Sequence, residues 1–187
     1  IEESVGMILA EDIYSKVQMP PFDKSAVDGY ALRAPDVKTA PAVLRNIGLI
    51  KAGENFGRRL KTGECVKIMT GAPLPEGSDS VVMVEFTQAI GREITVLKTL
   101  EKRANVCLKA EDLKSGQKVL VRGTQICASH VPALAAVGRK FVKAIARPQA
   151  AILNTGGEIS PLGSKLPKNC IYNSNGPMLA ALFRSDG

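Results

Sequence analysis

The sequence predicts a mixed α+β fold with more than one domain, and three segments of different pattern carry that prediction. Short runs of alternating apolar and polar residues, separated by glycine turns, fill residues 16–116 and are typical of a small β-rich domain. Residues 124–137 change to helical spacing. From residue 150 an apolar run ends in a glycine turn, and a helical run follows at 176–183. A buried strand followed by a helix indicates the beginning of an open α/β domain.

The elements predicted in the first half of the chain are mostly strands. Apolar spacing predicts one short helix at residues 5–9, before the prolines that exclude a longer one. The loop at 71–79 would join its two flanking strands into a hairpin-like unit. The predicted strands are 42–52 (as one or two strands), 65–70, 80–86, 94–100 after a turn at 91–93, and 116–123 with its turn.

The second half begins with the helical pattern of residues 124–137. Ser129 is a plausible cap, Pro132 suits a first turn, and Gly138 suits the exit of the helix. The other elements predicted here are a strand at 141–145, a wholly apolar strand from 150, and a helix at 176–183 capped by Ser174 or Asn175.

Composition limits the classes of partner. The chain has 187 residues, a formal net charge of +7 and a pI near 9.3, which favour anionic partners. Because Lys and Arg are spread along the chain and aromatic residues make up only 4%, a phosphate-bearing small ligand is favoured over a nucleic acid. The sequence shows no signal peptide and no apolar run of membrane length, so no membrane partner is expected.

The four cysteines, Cys65, Cys107, Cys127 and Cys170, lie far apart without a C-x-x-C pair. Zinc is not expected, since only His130 offers an imidazole, and His130 itself is given no role. Reduced thiols in a chain of this length predict a reducing, cytoplasmic location. The chain begins without methionine and stops soon after a helical pattern, and we therefore expect it to be a fragment of a longer protein.

Residues 18–33 form the stretch with the densest candidate chemistry. Two consecutive prolines bias the backbone to extended conformations and make this segment a stiff ribbon. Asp23 and Asp28 can therefore be held carboxylates, able to bind a hard cation or to orient a water. The alternative, which the pattern alone favours, is that Asp23 forms an Asx turn with Ser25 and that Asp28 opens an ordinary hairpin turn.

A second candidate is the loop with the sequence IMTGAPLPEGSDSVV. The Thr70 hydroxyl and the Gly71 N–H can hold an oxyanion or a phosphate, because prolines stiffen the backbone around them. A proline-stiffened connector without a ligand explains the same pattern equally well.

A third candidate is the segment 105–113, which sets Glu111 and Asp112 beside Lys109. A carboxylate pair formed with Asp28 would make a cation site. A solvated acidic pair on the surface is the alternative, and the spacing by itself favours it.

The fourth candidate is the turn Thr155-Gly156-Gly157-Glu158 at the end of the predicted apolar strand. Its glycines permit close approach of a ligand to the backbone, and Glu158 can act on a metal-bound or attacking group. The signal is weak by itself, because T-G-G-E is neither a dinucleotide fingerprint nor a P-loop.

Together these motifs resemble the family of the molybdenum cofactor biosynthesis protein MoeA, which includes the E domain of gephyrin. The resemblance spans the whole chain in the same order, and the first two motifs are highly specific. The motifs are PPFDKSAVDGYAL, IMTGAPLPEGSDSVVMVE, NVCLKAEDL followed by a G-x-x-V-x-x-x-G-T pattern, and NTGGEI.

The resemblance implies a cytoplasmic molybdopterin molybdenumtransferase. Such an enzyme inserts molybdate into adenylylated molybdopterin and releases AMP, with the help of Mg²⁺ or another divalent cation. The resemblance also implies a homodimer. A MogA-like molybdopterin adenylyltransferase would supply its substrate. Domain I, of small mixed α/β type, would comprise residues 1–15 and 117–147. Residues 16–116 would form the β-rich domain II, and 148–187 the beginning of a molybdopterin-binding-like α/β domain III.

The resemblance also implies site residues, in a cleft where domain II of one subunit faces domain III of the other. A fragment without the rest of domain III is therefore expected to be inactive alone. The candidate catalytic residues are Asp28, Asp112 and Glu158, of which Asp28 and Asp112 would also hold the metal. The candidate substrate-binding residues are Ser25, Thr70, Gly71, Lys109, Gly156 and Ser174.

Three stretches depart from the family pattern. Family members usually carry T-G-D-E where this chain has Thr155-Gly156-Gly157-Glu158, so an acid is replaced by Gly157. They carry R-D-S-N or Y-D-T-N where it has Tyr172-Asn173-Ser174-Asn175, so an acid is replaced by Asn173. An arginine-rich stretch is replaced by Val106-Cys107-Leu108-Lys109. Since these changes remove charge from a phosphate and metal site, the alternative function is a catalytically lapsed relative that serves as a pterin-binding or scaffolding module.

Overall fold

The computed structural model describes residues 1–146 and 148–185. The chain divides into two compact units: unit 1 comprises Ile1–Ile13 and Val119–Gly187, and unit 2 comprises Tyr14–Lys118. Strands and helices both occur, so the predicted mixed α+β fold with more than one domain is confirmed. The finer division into three domains stays a prediction.

The regular elements are short, as expected for a chain punctuated by glycine and proline. The strands are β1 (Ile13–Tyr14), β2 (Lys24–Ser25), β3 (Gly29–Leu32), β4 (Ala42–Ile50), β5 (Glu64–Ile68), β6 (Ser80–Met83), β7 (Thr87–Ile90), β8 (Glu93–Val96), β9 (Val106–Cys107), β10 (Lys118–Leu120), β11 (Ile159–Ser160) and β12 (Ile171–Tyr172). The helices are α1 (His130–Ala136) and α2 (Asn175–Ser185), with 3₁₀ turns at Glu2–Ser4, Ala34–Val37 and Val84–Phe86.

Unit 2 is built on a sheet with the strand order β6-β3-β5-β4-β8-β7. Neighbouring strands are antiparallel, except that β4 and β5 are parallel. All four residues of β3 are buried, and successive side chains enter opposite faces of the sheet. Tyr30 and Leu32 join one apolar cluster with Leu44, while Ala31 joins another with Ile68. The sheet is therefore covered on both faces around β3.

The predicted hairpin between residues 65–70 and 80–86 is wrong. β3 lies between β5 and β6 and pairs with both, because a fully buried strand needs a partner along each edge for its backbone N–H and C=O groups. The strand predicted to reach residue 86 ends at Met83 and continues as a 3₁₀ turn. The predicted turn at 91–93 is confirmed, since it lies in the hairpin that pairs β7 with β8.

The helix predicted at residues 5–9 is also wrong. Residues 5–7 form a turn, and the two residues that follow are extended, since Ile8 pairs with Gln125 and Leu9 pairs with Ala144. A five-residue helix gains too few hydrogen bonds to compete with such pairing. The strand predicted at 141–145 is reduced to the single bridge at Ala144.

The helical pattern of residues 124–137 is confirmed over its second half as α1. Leu134 is fully buried, and Gly138 follows the helix with φ +74°, a left-handed conformation that glycine adopts without strain. Ser129 occupies the position before the first turn, but its side chain makes no capping hydrogen bond. Pro132 lies in the first turn as predicted.

The apolar strand predicted from residue 150 does not form in the described residues. Leu153 is 89% exposed, and the strand in this region is β11, which pairs in parallel with β12. Apolar content marks a parallel strand only where flanking elements bury it, and residues 150–154 have no strand beside them within the described ranges. The final helix is confirmed as α2. In residues 1–146 and 148–185, no helix is long and apolar enough to cross a membrane.

Candidate functional site

The best-defined polar centre of unit 2 is the carboxylate of Asp28. Its Oδ1 accepts hydrogen bonds from the Thr70 backbone N–H (N to O 2.7 Å) and from the Thr70 hydroxyl (Oγ1 to Oδ1 2.8 Å). Both side chains are exposed at the end of the sheet where β3 begins and β5 has ended. The centre is thus open to a ligand while it is held by the backbone.

The sheet register explains why these two residues meet. Gly29 lies opposite Ile68 in the antiparallel pair of β3 and β5, so the residue before Gly29 faces the loop that follows β5. Asp28-Gly29 therefore opens a buried strand, and the interpretation of this dipeptide as a hairpin turn is wrong. A Cβ on Gly29 would lie 1.8 Å from the Val82 carbonyl oxygen, which explains why the position requires glycine.

The loop after β5 is tied to the ribbon by main-chain hydrogen bonds. The Gly71 N–H donates to the Ser25 carbonyl (2.9 Å), and the Ser25 N–H donates to the Ala72 carbonyl (3.0 Å). The Ser25 side chain is buried and donates to the Val27 carbonyl (Oγ to O 2.6 Å). Ser25 therefore shapes the loop, whereas Gly71, with φ +82°, carries the turn. The predicted roles of both residues in substrate binding stay predictions.

The electrostatics favour an ionised Asp28. The Thr70 backbone N–H, then the Thr70 hydroxyl, and to a smaller extent the charge of Lys67, lower the pKa of the Asp28 carboxyl below its ordinary value, because each stabilises the anion. Its hydrogen bonds within the described residues go to Oδ1, which leaves Oδ2 for a ligand. A held, ionised and exposed carboxylate can bind a hard cation or accept a proton.

Replacing Thr70 by valine is expected to raise the pKa of Asp28 toward its ordinary value without restoring it fully. The variant removes the hydroxyl donor but keeps the backbone N–H, which is the larger cause of the shift. A carboxyl ¹³C NMR titration measures the change. Thr87→Val is the matched control, since the Thr87 hydroxyl donates to the Val84 carbonyl (2.8 Å). A fall in the Asp28 pKa, or an equal change in the control, would contradict the assignment.

The segment that carries Lys109 and Asp112 is fastened to the same ribbon. Asp23 makes no Asx turn with Ser25; its Oδ1 instead accepts a hydrogen bond from the Lys109 backbone N–H (2.7 Å). The Asp112 N–H donates to the Met19 carbonyl (3.0 Å), and Glu111 accepts from the Leu108 N–H (2.8 Å). Lys109 and Asp112 are exposed, so both side chains are available to a ligand.

The corresponding feature of unit 1 is a cleft of about 190 Å³ at the ends of the parallel strands β11 and β12. Asn173 organises it, because its Oδ1 accepts hydrogen bonds from Asn154 Nδ2 (2.6 Å) and from the Gly176 N–H at the start of α2 (2.9 Å). The helix cap predicted at Ser174 or Asn175 is therefore supplied by the Asn173 side chain. The lining residues are Leu153, Asn154, Thr155, Ile159 and the stretch from Ile171 to Asn175, which includes Ser174.

Replacing Asn173 by alanine is expected to destabilise α2, because the Gly176 N–H loses its cap. The expected loss in the free energy of unfolding is about 0.5–2 kcal/mol, the usual cost of removing such a cap. Urea unfolding followed by circular dichroism measures it. Asn175→Ala is the control at the first residue of the same helix. Equal losses in the two variants would show that the Asn173 cap contributes nothing particular.

Glu158 and its glycines lie beside this cleft and not in its lining. Gly156 has φ +151°, and a Cβ placed on it would lie 2.8 Å from both carboxylate oxygens of Glu158. The Glu158 side chain therefore folds back over Gly156. A Cβ on Gly157 would meet nothing within 4 Å, so there is room for the acid that family members usually carry there.

The structure brings Ser25, Asp28, Thr70 and Gly71 together in unit 2, with Lys109 and Asp112 on the adjoining segment. Gly156, Glu158 and Ser174 belong to unit 1. Within the described ranges no group of three or more His, Cys, Asp or Glu side chains is placed to hold a metal ion. The catalytic and metal-binding roles of these residues stay predictions.

Sequence reasoning missed two anchoring side chains. The first is Asp23, which holds the Lys109 backbone across 86 positions of sequence, a contact that no local pattern announces. The second is Asn173, whose position two residues before α2 was a weaker capping signal than that of its neighbours.

Comparison with known proteins places these features in one family. Residues 1–138 match the family model described as the MoeA N-terminal region (domain I and II). A protein of Staphylococcus aureus named molybdopterin molybdenumtransferase is 39% identical over all of this chain and 46% of its own length. The protein of the same name from Staphylococcus epidermidis is 36% identical with the same coverage. The chain thus spans about half the length of the curated relatives it matches.

Solved structures agree with this assignment. A crystal structure of the molybdopterin biosynthesis MoeA protein of Pyrococcus horikoshii has a TM-score of 0.86 and 36% identity, over 100% of this chain and 49% of that one. A second structure of the MoeA protein of that organism has a TM-score of 0.88 and 34% identity, over 98% of this chain and 50% of that one. The family model covers well over half of the chain, and we conclude that the chain belongs to the MoeA family.

Proposed function

We propose that this chain is part of a molybdopterin molybdenumtransferase, which inserts molybdate into adenylylated molybdopterin and releases AMP. The observation that carries the proposal is the Asp28 carboxylate, which is held in its ionised form by Thr70 and exposed at the end of the sheet of unit 2. It occurs within the part of the chain that matches the MoeA N-terminal region. The relatives named for this activity support the same reaction class.

The proposed roles follow from the chemistry of each side chain. Asp28 orients the cation or the reacting oxyanion, and Thr70 holds Asp28 ionised. Asp112 and Glu158 supply the further carboxylates, and Lys109 supplies a positive charge to a phosphate. Ser25 and Gly71 shape the loop that carries Thr70. In unit 1, Gly156 and Ser174 contact the substrate at and beside the cleft.

A divalent cation fits the donor set of unit 2. Mg²⁺ usually binds one or two protein carboxylates and completes its shell with water and substrate phosphate oxygens. The ionised Asp28 with an uncommitted Oδ2, and the exposed Asp112, are the residues that would hold it. When bound, the cation would neutralise charge on the substrate phosphates. The absence of a three-ligand cluster among the described residues is compatible with a cation that depends on the substrate.

Binding of adenylylated molybdopterin tests the proposal. Calorimetric titration of the longest native protein that contains this sequence, with and without Mg²⁺, is expected to show binding that tightens with the cation. A general loss of affinity at higher salt should accompany it, because the chain carries a net charge of +7 and the ligand is anionic. Absence of binding in both conditions would overturn the proposed substrate.

A catalytically lapsed binding or scaffolding module is the second candidate, and the replaced acids favour it. Gly157 and Asn173 are neutral where family members usually carry acids, and Asn173 is engaged as a helix cap. Gly157→Asp separates the candidates, since a Cβ at this position meets nothing within 4 Å. A working enzyme should change its rate modestly, whereas a lapsed one should gain activity from none or continue to bind without turnover.

We further propose that the protein works as a homodimer in the cytoplasm and receives adenylylated molybdopterin from a MogA-like adenylyltransferase. Four free cysteines suit a reducing compartment. Sedimentation of the native protein tests the dimer. A pull-down with the adenylyltransferase tests the donor, and the captured complex should dissociate when free substrate is added. A monomer at all concentrations would contradict the first of these proposals.

A further inference from the structure

Cys127, Ser129 and His130 form a cluster of reactive side chains in unit 1 that lies outside the candidate site. The cluster sits in the turn that leads into α1. The preceding residue, Ile126, is 1% exposed and exchanges main-chain hydrogen bonds with the Gly6 N–H (2.7 Å) and the Met7 carbonyl (2.9 Å). The chain on the N-terminal side of the thiol is therefore fixed, while the Cys127 side chain itself is exposed.

The geometry places two polar groups on the sulfur of Cys127. Its Sγ lies 3.0 Å from the Ser129 hydroxyl oxygen and 3.4 Å from Nδ1 of His130. The Cys127 backbone N–H donates to the same Nδ1 (3.2 Å), and the His130 N–H donates to the Cys127 carbonyl (3.0 Å). These two backbone hydrogen bonds hold the imidazole against the thiol.

Each contact has a chemical consequence. A hydroxyl that donates to sulfur stabilises the thiolate, and the Ser129 hydrogen bond is the first cause of a lowered pKa at Cys127. The single lone pair of His130 Nδ1 already accepts the Cys127 backbone N–H, so the imidazole is fixed beside the sulfur and is not a free base for the thiol proton. The thiolate, and not the thiol, is the nucleophile in exchange reactions.

The other three cysteines lack this arrangement. Cys65 is fully buried in the sheet of unit 2, and burial raises its pKa to about 12. Burial and the neighbouring carboxylate of Glu111 raise the pKa of Cys107. Cys170 is half-buried, and no hydrogen-bond donor contacts its sulfur within the described residues. The other three cysteines therefore serve as internal controls for the reactivity of Cys127.

We propose that Cys127 is a site of reversible thiol modification by low-molecular-weight disulfides, assisted by Ser129. The exposed thiol gives its proton to water, the Ser129 hydroxyl donates to the resulting Sγ thiolate, and this thiolate attacks one sulfur of the disulfide. The disulfide bond of the reagent breaks, a mixed disulfide forms on Cys127, and the other half leaves as a thiolate that takes up a proton. Cys127 is oxidised and the leaving half is reduced, so the exchange balances without another reactant. The proposal does not depend on the molybdopterin reaction.

Oxidised glutathione is the probe that tests it. The folded chain is incubated with the probe at pH 7, quenched by acid at intervals and mapped by mass spectrometry. Modification at Cys127 is expected to be at least about threefold faster than at Cys170, because reaction follows thiolate fraction and exposure. A reducing agent should reverse it. A Cys127 rate equal to or below that of Cys170 overturns the proposal.

Variants separate assistance by the neighbours from simple exposure. Ser129→Ala should slow modification at Cys127 and move its rise with pH to higher pH, because it removes the hydroxyl that stabilises the thiolate. Ser164→Ala is the matched control, since the Ser164 hydroxyl donates to the Pro161 carbonyl (2.7 Å). If Ser129→Ala keeps the rate and the pH profile of the parent, the hydroxyl gives no assistance and the proposal fails.

Discussion

Replacing Gly29 by alanine is expected to unfold the sheet of unit 2 or force β6 away from β3. The new Cβ would lie 1.8 Å from the Val82 carbonyl oxygen and 2.8 Å from its carbon. Both atoms belong to the backbone of the paired strand, which cannot move aside as a flexible side chain does. The loss in the free energy of unfolding should therefore exceed the roughly 1–3 kcal/mol of ordinary overpacking.

Urea unfolding of the parent and the variant measures this loss. Gly57→Ala is the matched control, because a Cβ there meets nothing within 4 Å. The control is expected to keep the stability of the parent within about 0.5 kcal/mol. A Gly29→Ala variant as stable as the control would show that β3 and β6 do not approach as closely as described.

Replacing Asp28 by asparagine is expected to weaken cation-dependent binding of adenylylated molybdopterin by about tenfold to a hundredfold, the equivalent of one charge-assisted contact. The amide oxygen can still accept the hydrogen bonds from Thr70, so the fold should be retained. The variant therefore removes the charge and keeps the shape. Calorimetric titration with and without Mg²⁺ measures the effect.

Asp36→Asn is the control for this experiment. Asp36 is also a carboxylate of unit 2 that accepts a backbone hydrogen bond, from the Gly63 N–H (3.0 Å), but it lies outside the candidate site. Its replacement should leave binding and the effect of Mg²⁺ unchanged. Equal losses in both variants would mean that Asp28 has no specific role in recognition.

The pattern of side chains predicted the strands of unit 2 better than their order. Alternation of apolar and polar residues located β4, β5 and β8 within a few residues, because successive side chains of a strand lie on opposite faces of the sheet. It missed the insertion of β3 between β5 and β6, since sequence proximity favours pairing of consecutive strands. The helix predicted at residues 5–9 failed for a related reason. Its local periodicity was overridden by pairing with residues 125 and 144.

The candidate site was predictable where the residues that hold each other both lie in recognisable motifs. D-G and M-T-G identified Asp28 and Thr70, and the structure joins them by two hydrogen bonds. The role of Asp23 was not predictable, because the backbone amide that it holds, that of Lys109, lies 86 positions away. The role of Asn173 was not predictable either, because its side-chain partner Asn154 lies 19 positions away. His130 had no role by pattern alone, and its contact with Cys127 appears only in the folded turn.

The release of AMP on addition of molybdate tests the central claim most directly. Adenylylated molybdopterin is bound to the longest native protein that contains this sequence, Mg²⁺ and molybdate are added, and free AMP is measured. The account predicts cation-dependent release that Asp28→Asn slows and Asp36→Asn does not. Binding without release in the parent protein would contradict the transferase proposal and favour a pterin-binding module built on the same fold.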